Sequence, residues 1–183
     1  MELAESSARW MSSADNLLAG AGLLWRAMAT DLESPQSSCQ VAGQHADIAM
    51  DYGESPTFLQ HASVFLMLGG FAVENALKAV RVRQLEGGVT TTAVGGPRIA
   101  DRLLTHDLRR LAADAGMHLS AAESGLLARL EAYLIWAGRY PVATTARGQL
   151  VVQDLWSSDH DRVTQFIERV RIAYRDAGGR DEA

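Results

Sequence analysis

Cysteine is almost missing: Cys39 is the single thiol in a chain of 183 residues. No internal disulfide framework and no site built from several thiolates can be made from it. Cys39 reads as an incidental thiol in a polar loop, because a nucleophilic role would need an activating base beside it. No leader for export is visible, since Met1 to Ser7 opens acidic and polar, without a basic start and an apolar run. The most apolar stretch, Val64 to Val73, is about half the length needed to cross a bilayer and runs into Glu74 and Lys78. A cytoplasmic protein without membrane partners is the expectation.

Other chemistry is missing too. There is no glycine loop with a lysine to cradle phosphate, no His-Glu-x-x-His helix, no Gly-x-Ser-x-Gly elbow and no DNA-binding motif. The five histidines, at 45, 61, 106, 118 and 160, show no metal-ligand spacing, so each reads as a surface or capping residue. No metal and no cofactor is expected. A net charge of −5 argues against bulk binding of nucleic acid over the whole surface. The charge is uneven, however. Residues 81–110 carry Arg81, Arg83, Arg98, Arg102, Arg109 and Arg110 against Glu86, Asp101 and Asp107. That segment can meet phosphate, an acidic partner or the chain's own acidic helices.

What remains is ordinary globular material, 48% apolar and 21% charged, in a length that suits one domain. Its pattern is helical throughout. Leu17, Leu18, Ala21, Leu24, Trp25, Met28 and Leu32 form one stripe, stopped by Ser34-Pro35. Residues 34–55 read as a long loop with a short helical turn around Val41 to Met50. Ser55-Pro56 opens a helix that is apolar on every side, which predicts that it is the central one. Gly69-Gly70 within it predicts a close approach by another helix, and Gly87-Gly88 ends it.

Residues 87–97 form a connection. Thr105 is then expected to cap a short helix bearing Leu108, Leu111 and Ala112 and closed by Gly116. Ser120 and Glu123 form a capping box. They open a helix with Leu126, Leu127, Leu130, Tyr133, Leu134 and Ala137 on one face, stopped at Gly138. A last helix runs from about Ser158 to Gly178. Only Leu150 to Val152 has strand character, and no internal repeat is present. The fold class is all-α, an up-and-down bundle of four to five helices.

Glu74 and Lys78 are the conspicuous polar pair. They share a face of the most buried helix, four residues apart in the favourable order, and Lys78 is the only lysine in the sequence. Charges there need partners, because an unpaired buried ion costs several kcal/mol. The pair is either a structural ion pair or the wall of a polar cleft in which Glu74 orients an arginine. Arg139 is the candidate arginine. It follows a helix end and is flanked by Trp136 and Tyr140, both able to stack, which suits phosphate or base contacts and equally suits helix capping.

The order Phe71-Ala-Val-Glu-Asn-Ala-Leu-Lys78, then Thr105-His-Asp-Leu108, then Gly138-Arg-Tyr-Pro141 resembles the HEPN family of bacterial helical proteins. The likeness spans roughly residues 58–175 of a single domain 1–183, with a helix in 1–33 packed on that core and a flexible tail at 177–183. It implies a homodimer with a cleft shared between protomers. It also implies one of two roles: an RNase of toxin–antitoxin or defence systems, or a non-catalytic partner of a nucleotidyltransferase. In the RNase members an arginine is followed a few residues later by a histidine, the first holding phosphate and the second moving protons. Arg139 matches the arginine position, but no histidine follows until His160. Arg102-Leu-Leu-Thr-His106 is spaced one residue short and precedes a different helix. The expectation is therefore a non-catalytic, dimeric binding or regulatory module for RNA, a nucleotide or a partner protein. Its binding residues are Arg139, Tyr140, Glu74, Lys78 and Trp136. The alternative is a metal-independent endoribonuclease with an atypical site made from Arg139, His106 and Tyr140.

Overall fold

The computed structural model describes residues 3–32, 56–86, 103, 105–134 and 156–178. They form α1 (Leu3–Leu32), α2 (Pro56–Glu86), α3 (Leu108–Asp114), α4 (Ala121–Ala132) and α5 (Asp159–Gly178), with no strand among them. The expected all-α bundle is present. The proposed turn at 41–50, the strand-like residues 150–152, Cys39 and the 87–97 connection lie outside the described residues.

The sequence pattern makes α2 the hub, and α2 packs against all four other helices. Phe65, Ala72, Val73, Ala76, Leu77, Ala79 and Val80 on it are fully buried, each large aliphatic or aromatic side chain contributing about 1.5–3 kcal/mol. His61–Leu85 is long and apolar enough to cross a membrane by length and composition, and 67% of its most apolar window is buried inside the bundle. α1 lies along α2 on a spine of heptad-spaced residues, Ser7, Ala14, Ala21 and Met28, all buried. Small side chains at three of those four positions let the two helices come close over a long contact.

Direction follows from which residues meet. Trp10 reaches Lys78, Ser13 reaches Asn75 and Trp25 reaches Phe65, so α1 and α2 are antiparallel. His160 sits by Phe65, Val163 by Gly69 and Tyr174 under Arg83, so α5 runs parallel to α2. Arg129 pairs with Asp159 and Glu123 with Arg169, so α4 runs against α5. The four longer helices thus alternate up and down, and α3 is a short brace between α2 and α4.

The predicted close approach at Gly69-Gly70 is where α4 and α5 press on α2. A Cβ on Gly70 would stand 2.9 Å from Leu134 Cγ and 3.4 Å from the Leu130 carbonyl oxygen, whereas one on Gly69 would make ordinary contact with Val163 at 3.6 Å. The Ser120–Glu123 capping box is formed, with Ser120 N donating to Glu123 Oε2 at 2.8 Å and Glu123 N to Ser120 Oγ at 3.2 Å. One cap differs from expectation. Asp107, not Thr105, caps α3, accepting from Arg110 N at 2.9 Å, while Thr105 Oγ1 accepts from Asp107 N at 3.1 Å. The Asp107 carboxylate, immediately before the first helical residue, satisfies one of the free N–H groups of α3, and Thr105 instead holds the backbone N–H of Asp107. Gly116, at φ +76°, then turns the chain out of α3 as expected.

The α4–α5 seam holds a buried polar clamp that the sequence pattern does not announce. Asp159 is fully buried, accepts from Arg129 through both carboxylate oxygens and takes Trp156 N at 2.9 Å, so its charge is met on every side. Farther along the seam, burial pushes the Glu123 carboxyl up. The hydrogen bonds from Ser120 and the Arg169 guanidinium outweigh burial and hold it below its ordinary value.

Two outcomes follow for this scaffold. Gly70→Ala should lower stability in urea unfolding by about 1–3 kcal/mol, because Leu134 and the α4 backbone cannot both yield. Gly69→Ala should be neutral or gain up to about 1 kcal/mol from helix propensity. Because the folded Glu123 titrates below its unfolded value, its contribution is complete above that unfolded value. It fades as pH falls through the folded one. Glu123→Gln should therefore lower stability at neutral pH and flatten the acid limb of a stability–pH curve measured by thermal melting.

Candidate functional site

The polar centre of the bundle is assembled from three places in the chain. α2 supplies Glu74 and Lys78, only 4% and 6% exposed, together with Phe71 half-buried beside them. α1 supplies Trp10, whose ring lies 5.3 Å from Lys78 Nζ. The segment entering α3 supplies His106, held in place because the next residue, Asp107, caps α3 and Leu108 is fully buried.

Glu74 joins them. Its Oε1 accepts from Lys78 Nζ at 2.6 Å and its Oε2 lies 2.8 Å from His106 Nδ1. An ionised carboxylate only accepts, so the imidazole carries its hydrogen on Nδ1 and turns Nε2 away from the core. Phe71 meets that ring edge-on at 6.3 Å and 79°, which limits its rotation. The side chain of His106 is 45% exposed. The result is an imidazole oriented from below by a buried carboxylate and open to solvent above. Its chemistry is that of a hydrogen-bonding or proton-transferring group at a fixed place. Lys78, shielded by Glu74 and the Trp10 face, is a compensating charge; the cation–π contact adds about 0.5–2 kcal/mol.

The sequence pattern identifies Glu74 and Lys78, and the structure brings His106 to them. Histidines read singly, by local spacing, look like surface residues. His106 meets its carboxylate 32 positions away, a separation that no fixed-offset rule reaches. Trp10 carries no local signal either, since it joins the site only through the antiparallel pairing of α1. Arg139, Tyr140 and Trp136 lie outside the described residues, and so does any distance from Arg139 to His106.

Of the basic segment 81–110, most described members serve the fold. Arg81 donates to Gln84 at 2.6 Å, Arg83 lies over Tyr174, and Arg109 grips Glu131 with contacts of 3.0 and 3.3 Å. Arg110 is exposed, four positions beyond His106, while Arg98 and Arg102 lie outside the described residues. A concavity of about 550 Å³ between α4 and α5 is floored by Leu126 and Phe166 and edged by the Glu123–Arg169 pair. Among the described residues no group of three or more histidine, cysteine or acidic side chains is placed to hold a metal ion.

The Glu74–Lys78 pair can be tested as a unit. Glu74→Leu alone strands the lysine charge and should cost about 3–5 kcal/mol in chemical unfolding. Glu74→Leu with Lys78→Met removes both charges and should recover most of that loss. Additive losses would mean that the two side chains do not compensate one another.

Comparison with family models, with curated proteins and with solved structures finds no match to this chain.

Proposed function

We propose that this chain is a HEPN-like helical module that binds RNA or a nucleotide beside His106. On this reading it acts as a homodimer in a toxin–antitoxin or defence-type setting and does not cut what it binds. The observation that carries the ligand site is the half-exposed imidazole of His106, fixed through Nδ1 by a buried carboxylate. Evolution of a merely stable core does not call for a buried carboxylate that turns a histidine toward solvent, and an apolar trio of similar volume would pack as well. Arg110, exposed nearby in sequence, supplies positive charge for phosphate, and Arg139, Tyr140 and Trp136 are the further binding residues of this reading. The setting and the dimer rest on the resemblance in Phe71–Lys78, Thr105–Leu108 and Gly138–Pro141.

Binding without cleavage is favoured because acid–base cutting of RNA needs two groups that exchange protons. Only one imidazole stands in this site among the described residues, and Glu74 is committed to Lys78. The carboxylate-held imidazole is also the observation that favours the second reading, a metal-independent endoribonuclease using His106 with Arg139.

Fluorescence anisotropy with short single-stranded RNA and with a nucleotide separates the two. His106→Ala should weaken binding at least tenfold, about 1.4 kcal/mol, with little change in melting temperature. The wild type should leave the RNA intact. Cutting by wild type that is lost in His106→Ala would install the RNase reading instead. Undiminished binding by a well-folded His106→Ala would remove His106 from the site.

A further inference from the structure

Glu74 has two oxygens and two cationic or potentially cationic neighbours, one on each. A lone buried carboxylate 2.8 Å from an imidazole would pull strongly toward the imidazolium form. Here the ammonium of Lys78 stands on the other oxygen at 2.6 Å, in the same buried environment and beside the Trp10 ring. The pair is close to neutral as seen from His106. An imidazolium in that position would face a carboxylate whose charge is already met.

We propose that Lys78 is a positioning residue that governs how strongly the Glu74 carboxylate draws a proton onto His106, acting from the far side of that carboxylate. The inference rests on the reading of His106 as the binding group and adds how that group is held ready. It also explains why the sole lysine of an arginine-rich chain stands at this position. An ammonium presents one compact charge to one oxygen, whereas the planar fork of an arginine is shaped to take both oxygens and would compete for the one that His106 uses. Among the described residues the other charged side chains on the elements packed here include Arg9 and Asp15 on α1, Arg81 and Arg83 on α2, Asp107, which caps α3, Arg110 and Asp114 on that helix, and the Arg109–Glu131 pair between α3 and α4. All of them stay the same when Lys78 alone is changed, so a comparison of variants isolates the lysine.

The test is an NMR pH titration of the imidazole signals of the ligand-free protein, with His106 assigned by loss of its signal in His106→Gln. In Lys78→Met the His106 midpoint should rise by one pH unit or more, since Glu74 then acts on the ring uncompensated. The midpoints of His118 and His160 should stay where they are. Lys78→Gln repeats the measurement should Lys78→Met fold poorly. Adding back a cation in Lys78→Arg should return the midpoint toward wild type while shifting the His106 ring signals, because the fork takes part of Oε2. A His106 midpoint in both neutral variants within about 0.3 unit of wild type, against the 1–3 units a close opposite charge produces, would overturn the proposal. The outcome is independent of ligand. Failure to bind RNA or nucleotide would leave the titration result standing, and an unmoved titration would leave the binding reading standing.

Discussion

A carboxylate carried on the central helix of a bundle must be met from more than one side, or it will not remain ionised there. Glu74 is met from within its own helix by Lys78 and from the entry to α3 by His106, and Trp10 on α1 closes the lysine off. This requirement fixes the relative placement of three elements. α1 must run antiparallel to α2 so that its first turns reach the level of Lys78. The chain entering α3 must pass over Glu74 and be capped immediately afterwards. The packing of the core and the orientation of one half-exposed imidazole are thus settled by the same pair of hydrogen bonds.

The remainder of the bundle holds α2 steady beneath that centre. Gly70 admits Leu134 and the α4 backbone, Gly69 admits Val163 of α5, and the Arg129–Asp159 clamp locks α4 to α5 on the other side of the seam. None of these contacts touches His106, but each limits the rotation of α2 and so the direction in which Glu74 points. A bundle whose helices could slide by a fraction of a turn would lose the 2.8 Å contact long before it lost its core.

How much of this is legible in the sequence divides by range. Periodicity shows the apolar-all-round helix, Gly69-Gly70 shows where a neighbour comes close, and Ser120 with Glu123 shows a helix start, because each signal lies within one or two turns. The Glu74–Lys78 pair is legible for the same reason. What stays hidden depends on contacts across the fold: His106 on Glu74, Trp10 on Lys78 and Arg129 on Asp159 are separated by 32, 68 and 30 positions. The cap of α3 shows a finer limit. Thr105 and Asp107 are both good capping residues, and only the burial of Leu108 settles which of them starts the helix. Arg139, the arginine to which the family resemblance points, lies outside the described residues, so the site is built from the other half of the resemblance.

The central claim is that Glu74 holds His106 through Nδ1 and presents Nε2 outward. Long-range ¹H–¹⁵N correlation of the His106 ring, recorded at a pH where the ring is neutral, reads the tautomer directly. Hydrogen on Nδ1, with Nε2 bare, is the predicted result. Hydrogen on Nε2, with Nδ1 bare, would contradict it, because a carboxylate has no hydrogen to give and the contact to Glu74 would then be repulsive.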